Sequence, residues 1–123
     1  MSYEDLKRDS RRLRGGLAED LQTDTSSFLE ENVKILKFHG SYQQDDRDQR
    51  VERRKLKQEK AFIFMVRSKI PGGMLTAQQY LAHDLAAGKY GNGTLRITSR
   101  QDLQTHFVLK GNLKECVATI NRS

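Results

Sequence analysis

The sequence has few of the residues that build metal clusters, disulfides or membrane spans. Its 123 residues include 1 Cys, so neither an internal disulfide nor a thiolate site for zinc or an iron–sulfur cluster can form within this chain. It has no apolar run long enough to cross a bilayer, and the polar start Met1–Ser10 is unlike a secretory signal. We therefore expect a cytoplasmic protein with no membrane partner and no metal ligands of its own.

Apolar residues are also scarce, and basic residues outnumber acidic ones. The hydrophobic fraction is 36%, the charged fraction is 31% and the formal net charge is +6. Such a composition supports one modest core, with part of the chain outside it. The basic excess favours an anionic partner, which could be phosphate, nucleic acid, an acidic cofactor or a small oxyanion.

Residues 1–60 are predicted to form an N-terminal arm and a charged linker. Within them, the short run Val33–His39 is predicted to be a strand that ends at Gly40. Charges of both signs dominate Asp45–Lys60, which cannot bury much surface. We expect this stretch to be a solvated helix or a linker that orders on contact.

Residues 61–123 contain the patterns of a packed domain. Phe62–Val66 is apolar and is predicted to be an interior strand. Thr76 followed by Gln79 is a capping-box pattern that opens a helix. The buried side of that helix is expected to carry Ala77, Leu81 and Leu85, with His83 at the surface. A second helix is predicted from apolar residues at the spacing i, i+3, i+4, i+7, which are Leu113, Cys116, Val117 and Ile120.

With two strands between those helices, the order is strand, helix, strand, strand, helix. This order indicates an α+β, ferredoxin-like fold that stops before its last strand. Without that strand, Phe62–Val66 would have an unpaired apolar edge, which invites aggregation. We therefore expect the chain to be a fragment, or to need a partner to complete its sheet.

The two strands before the last helix, Thr94–Arg100 and Leu103–Leu109, carry anion-binding side chains at alternate positions. Successive strand residues point to opposite faces. One face is expected to carry Thr94, Arg96, Thr98, Arg100, Gln104 and His106. The opposite face would take Phe107, together with Leu103, Thr105 and Leu109. Two guanidiniums, an amide and an imidazole suit carboxylates or oxyanions, so this face is the candidate binding site.

Several segments, in the same chain order, resemble the haemoprotein subunit of assimilatory sulfite reductases, within the siroheme nitrite/sulfite reductase family. They include Leu13-Arg14-Gly15 and Lys37-Phe38-His39-Gly40-Ser41-Tyr42-Gln43-Gln44-Asp45-Asp46-Arg47-Asp48. Further on come Met65-Val66-Arg67-Ser68-Lys69-Ile70-Pro71-Gly72-Gly73, Gly93-Thr94-Leu95-Arg96-Ile97-Thr98-Ser99-Arg100-Gln101 and Leu109-Lys110-Gly111-Asn112-Leu113-Lys114. The resemblance covers nearly the whole chain.

The resemblance implies an activity, cofactors and site residues. The family reduces sulfite to sulfide at a siroheme linked to a 4Fe-4S cluster, with ferredoxin or a flavoprotein subunit as electron donor. By matching motif positions, Arg67 would bind sulfite, while Arg96, Thr98, Arg100, Gln104 and His106 would contact siroheme. The partners would be sulfite and the rest of the same enzyme, without nucleic acid.

Some positions depart from the family pattern. The family usually has an aromatic residue before the Gln104 position and a Gly after the His106 position, where this chain has Leu103 and Phe107. The family's Cys motifs would lie beyond Ser123, and Cys116 matches none of them. Three other interpretations stay open at this point: a small basic nucleic-acid-binding module, a fragment of a ferredoxin-nitrite reductase, and a degraded pseudogene product with no activity.

Overall fold

The computed structural model describes residues 2–123, which form six α-helices, a four-stranded antiparallel sheet and a 3-10 turn at Pro71–Gly73. In chain order the elements are α1 (Tyr3–Asp9), α2 (Leu17–Leu21), α3 (Glu30–Phe38), β1 (Ser41–Asp45), α4 (Arg47–Lys55), β2 (Phe62–Ser68), α5 (Ala77–Tyr90), β3 (Leu95–Ile97), β4 (Leu103–Val108) and α6 (Lys110–Asn121). None of these helices has both the length and the apolar character needed to cross a bilayer.

The sheet has the strand order β1-β2-β4-β3. From β2 onward, the elements follow the predicted order of strand, helix, strand, strand and helix. The α+β, ferredoxin-like fold class is therefore confirmed. The first of the two strands in the candidate site is shorter than expected, because β3 ends at Ile97 and Thr98–Asp102 form the turn into β4.

The edge of β2 that was expected to be unpaired is covered by β1. The pairing is antiparallel and runs from Ser41 opposite Val66 to Asp45 opposite Phe62. The expectation of an open apolar edge is therefore wrong, because a strand from the predicted arm occupies the fourth position of the sheet. β1 follows α3 directly, through Gly40 at a φ of 79°, a backbone conformation that glycine adopts without strain.

The stretch Val33–His39 is not a strand, because Glu30–Phe38 form helix α3. Its buried residues are Asn32, Ile35 and Leu36, and their spacing of three and one is that of a helix face. Helix α4 lies in the charged stretch and has no buried residue, so the alternative of a solvated helix is confirmed there.

The core lies between one face of the sheet and the helices. It consists of Phe28, Leu36, Phe64, Val66, Ala86, Val108, Leu113 and Cys116. The predicted apolar face of α6 is confirmed. The predicted face of α5 is wrong: Leu81 and Leu85 are exposed, whereas His83, Ala86 and Ala87 are buried. His83 is accommodated because its ring nitrogens contact the Gln79 carbonyl at 2.7 Å and the Ser68 hydroxyl at 2.8 Å.

A buried ion pair joins the arm to the start of α6. Lys110 Nζ donates to Asp20 Oδ1 at 2.9 Å and also contacts the Thr23 and Thr25 hydroxyls. The second carboxylate oxygen of Asp20 accepts from the Leu29 backbone and from Asn32 Nδ2, both at 2.8 Å. The pair therefore fixes the 20–32 segment against the same core that the sheet and α6 share.

Candidate functional site

Three of the predicted site residues form a straight row across the sheet. Gln104 on β4 pairs in register with Arg67 on β2 and with Arg96 on β3. Residues paired in this way point to the same face. Their neighbours Val66 and Thr105 are buried on the helix-covered face, so the row lies on the other one. We call this second face the open face. Adjacent strands are about 4.8 Å apart, which puts the two arginine Cα atoms about 10 Å apart.

His106 extends the row along β4, two residues from Gln104. Its Nε2 lies 3.0 Å from Gln104 Oε1, and because an amide oxygen can only accept, Nε2 carries the hydrogen. Burial lowers the pKa of His106, and the nearby Arg96 charge lowers it further. The neutral imidazole is therefore favoured, and Arg96 keeps its charge available for an acidic group.

Phe107 interrupts the alternation of β4. Phe64 pairs with Val108 but Val66 pairs with Thr105, so β4 has one extra residue and forms a β-bulge. Phe107 has a φ of 62°, in the left-handed region, and its side chain is 39% exposed. The expectation that Phe107 points into the core is wrong. The bulge turns it outward, beside His106, and returns Val108 to the core.

Thr98 and Arg100 lie in the β3–β4 turn and not on a strand. The Thr98 hydroxyl accepts from the backbone N–H groups of Arg100 at 3.3 Å and Asp102 at 3.1 Å. It therefore holds the turn in shape. Arg100 is exposed. The structure thus places Arg100 in a turn that Thr98 maintains, where it lines the same hollow as Arg67.

Two hollows adjoin the row. One has a volume of about 540 Å³, and Arg67 and Arg100 line it together with Lys37 and Lys69. The other has a volume of about 530 Å³ and is lined by Arg96, His106 and Phe107, but also by the carboxylates of Asp45, Asp46 and Asp48 and by two further arginines. Among the residues that the structure describes, no ion pair includes Arg67, Arg96 or Arg100. The hollow at Arg67 and Arg100, whose one carboxylate is Asp102, is therefore predominantly basic, whereas aspartates partly offset the Arg96 charge in the other.

Tyr42 is a member of the site that the sequence did not single out. Its hydroxyl accepts from Arg67 Nη2 at 2.8 Å, and the Arg67 Cζ lies 5.4 Å from the centre of the Tyr42 ring. Sequence patterns do not reveal this strand, because Ser41–Asp45 has too few apolar residues to predict one. Tyr42 belongs to a motif that resembles the family, and this resemblance is the signal that points to it.

The chain offers no cluster of metal ligands within residues 2–123. Its single thiol, Cys116, is fully buried, and burial raises its pKa to about 11. A thiol in that state does not provide a thiolate ligand at neutral pH. The residues of this chain therefore fit an anionic group on the open face, and do not fit an iron–sulfur cluster.

Comparison with known proteins gives a consistent match. Residues 55–123 match the model of the "Nitrite/Sulfite reductase ferredoxin-like half domain". The chain is 50% identical over 119 residues to the sulfite reductase [NADPH] hemoprotein beta-component of Shouchella clausii, covering 96% of this chain and 21% of that protein. The protein of the same name from Xylella fastidiosa is 50% identical over 121 residues. The chain therefore spans about a fifth of the length of the curated relatives it matches.

A solved structure shows the same fold. The Mycobacterium tuberculosis NirA protein superposes with a TM-score of 0.71 and 21% sequence identity, over 97% of this chain and 23% of that one. At that identity the likeness concerns the fold alone.

Proposed function

Because the chain belongs to the nitrite/sulfite reductase family through its ferredoxin-like half domain, we propose that it is the N-terminal part of a sulfite reductase haemoprotein. In this proposal it contributes siroheme and sulfite contacts to an enzyme that reduces sulfite to sulfide in sulfur assimilation. The 50% identical relatives named as sulfite reductases favour sulfite over nitrite. Their names also include NADPH, which favours a flavoprotein donor over ferredoxin.

The observation that carries the proposal is the row of Arg67, Gln104 and Arg96 on one open face. Two guanidiniums without carboxylate partners, separated by an amide donor, are arranged for a ligand that presents several acidic groups. Siroheme is a polycarboxylate, so its periphery has the complementary charge. Arg96, Arg100 and the Gln104 amide would hold those carboxylates, His106 would contact the ring, and Thr98 would shape the turn that carries Arg100.

Siroheme, when bound, would supply the iron at which sulfite is reduced, and a 4Fe-4S cluster would supply the electrons. The cluster ligands would come from outside this chain, because Cys116 does not fit that role. Within this chain, Arg67 would bind the sulfite oxygens and stabilise negative charge on them. The hydrogen bond from the neutral His106 to Gln104 would fix the orientation of the imidazole ring. The Arg96 guanidinium would then bind a carboxylate.

The proposal extends to organisation and location. Residues 61–123 would form the half-domain and residues 1–60 the arm that completes its sheet. The remainder of the same enzyme would be the main partner, in the cytoplasm. The chain alone would not reduce sulfite, so a reduced dye should not be oxidised by sulfite or nitrite when only this chain is present.

A hybrid enzyme tests the proposal. The 119 corresponding residues of the Shouchella clausii relative are exchanged for this chain. We expect the purified hybrid to contain siroheme, judged by its absorbance, and to reduce sulfite with NADPH and the relative's donor. Replacing both Arg96 and Arg100 by Ala should lower the siroheme content. Arg54→Ala, which removes an exposed arginine of α4, is the matched control and should leave the content unchanged.

Two outcomes would contradict the proposal. One is a well-folded hybrid without siroheme, and the other is a siroheme content that is unchanged when Arg96 and Arg100 are replaced by Ala. The nucleic-acid interpretation is tested on the same sample. Tight, salt-dependent binding of a random oligonucleotide by the chain, lost in the same double variant, would replace the cofactor role with nucleic-acid binding.

A further inference from the structure

The contact between Tyr42 and Arg67 joins the arm to the open face. Tyr42 lies on β1 directly opposite Met65 of β2. Met65 and Arg67 are two residues apart, so all three side chains are on the open face. The Tyr42 hydroxyl accepts from Arg67 Nη2 at 2.8 Å, and its ring lies within cation–π distance of the guanidinium. Two separate interactions thus hold one guanidinium.

Most of the donors of Arg67 remain available. A guanidinium has five N–H donors, and one of them is directed at Tyr42. Arg67 is half-buried, and no carboxylate pairs with it in the part of the chain that the structure describes. A partly desolvated charge without a counter-ion is unfavourable, and a bound anion would relieve that cost. The site is therefore charged, oriented and without an internal counter-ion.

Tyr42 also determines the direction of the guanidinium. β1 lies on the side of β2 away from β4 and β3. A hydrogen bond to Tyr42 therefore directs the Arg67 guanidinium toward β1. Without the hydroxyl, the long side chain would sample other rotamers and lose the fixed fork that binds oxyanions.

We propose that Tyr42 is the positioning residue of the Arg67 anion site. Its hydroxyl and ring hold the guanidinium in one orientation, and the remaining N–H donors bind a small oxyanion. The inference rests on the anion-binding role proposed above for Arg67. It adds to the site a residue of the arm, outside the 55–123 region that matches the family.

The test uses the 123-residue chain and inorganic sulfite as the probe. Arginine side-chain Nε–Hε signals are followed by NMR under anaerobic conditions at constant ionic strength, with chloride as the salt control. Arg67→Lys identifies the Arg67 signal. In the wild-type chain, sulfite should shift that signal beyond the chloride control. Tyr42→Phe keeps the ring and removes the hydroxyl, and it should raise the sulfite dissociation constant about fivefold.

Two controls keep the result interpretable. Tyr80→Phe removes a phenol from the exposed face of α5 and should leave the dissociation constant unchanged. In the wild-type chain, with both signals identified from Lys variants, rotation of the Arg67 Nη groups should be slower than that of the exposed Arg100. Equal sulfite affinity in wild-type and Tyr42→Phe chains would overturn the inference. Arg67 rotation as fast as that of Arg100, or an Arg67 signal that does not respond to sulfite, would also overturn it.

These outcomes are separate from those of the hybrid enzyme. A hybrid without siroheme, combined with a hydroxyl-dependent sulfite response in the chain, would reject the cofactor proposal and support the role of Tyr42. A siroheme-loaded hybrid, combined with no effect of Tyr42→Phe, would support the cofactor proposal and reject the role of Tyr42.

Discussion

Lys110 and Asp20 are 90 positions apart in the sequence, yet their side chains meet at 2.9 Å and are only 3% and 5% exposed. Breaking a buried pair by removing one partner leaves an uncompensated charge. We expect Asp20→Ala to lower the free energy of unfolding by about 3–5 kcal/mol, measured by urea denaturation. Glu19→Ala, which removes a neighbouring carboxylate in an exposed pair, should cost less than about 1 kcal/mol. Similar costs for the two variants would contradict the prediction.

The same carboxylate makes stability depend on pH. Burial alone would raise the pKa of Asp20, but hydrogen bonds from Asn32, Leu29 and Lys110 outweigh it and hold the pKa below its ordinary value. A carboxylate with a lowered pKa stabilises the fold above the pKa of the unfolded state, and this contribution is lost as the pH falls through the lower folded value.

We therefore expect the wild-type chain to lose stability as the pH falls below about 4. Asp20→Asn cannot ionise, so its denaturation midpoint should change less over the same interval. Parallel pH profiles for the two chains would show that other carboxylates dominate the acid response.

The bulge at Phe107 predicts an unusual substitution pattern. A residue with a Cβ in the left-handed region is strained by about 1 kcal/mol, and glycine is not. We expect Phe107→Gly to be more stable than Phe107→Ala by about 1 kcal/mol in thermal or urea unfolding. At the exposed strand residue Ile97, the order should reverse, with Ala more stable than Gly. The same order at both positions would rule out strain at Phe107.

His106 and Arg96 should be coupled in titration. Since Arg96 lowers the pKa of His106, Arg96→Met should raise that pKa, while the larger effect of burial persists. The measurement is an NMR titration of the His106 ring, with Arg54→Met as the matched control. A depressed histidine pKa favours the neutral form in the fold, so His106 lowers stability as the pH falls below about 6.5. An unchanged His106 pKa in Arg96→Met would contradict the coupling.

Because β1 completes the sheet, its presence should determine which segments of the chain fold. The segment 61–123 alone would expose the β2 edge and leave Lys110 without Asp20. We expect it to aggregate or to lack cooperative unfolding, as judged by circular dichroism and size-exclusion chromatography. The segment 17–123 keeps α2, α3 and β1 and loses only α1 and the following turn, so it should unfold cooperatively. A stable, monomeric 61–123 segment would contradict the prediction.

The sequence predicted the parts of the fold that local patterns determine. The Thr76 and Gln79 capping box, the apolar face of α6 and the interior strand Phe62–Val66 depend on residues close together in the chain, and all three are confirmed. The predicted shared face of Arg96, Gln104 and His106 agrees with the observed strand pairing for the same reason, whereas Thr98 and Arg100 lie in the turn after β3. Their roles as ligand contacts remain predictions.

The features that the sequence patterns predicted wrongly or missed share a different cause. The run Val33–His39 is too short for its apolar spacing to distinguish the helix period of 3.6 residues from the strand period of two. The burial of Asn32, Ile35 and Leu36 shows that it is helical. The bulge at Phe107 has no glycine to reveal it. His83 is buried because Ser68 and Gln79 satisfy its ring, and the Asp20–Lys110 pair spans most of the chain. Each of these depends on tertiary contacts that local sequence patterns do not contain.

The position of β1 before β2 in the chain has a consequence for biosynthesis. A ribosome releases Ser41–Asp45 well before Phe62–Ser68, so the apolar strand emerges when its neighbour is already available. The two strands are separated only by α4 and a short connection, which makes their pairing a local and fast contact. The apolar strand of the nascent chain can thus be covered on one side before β4 has emerged from the ribosome.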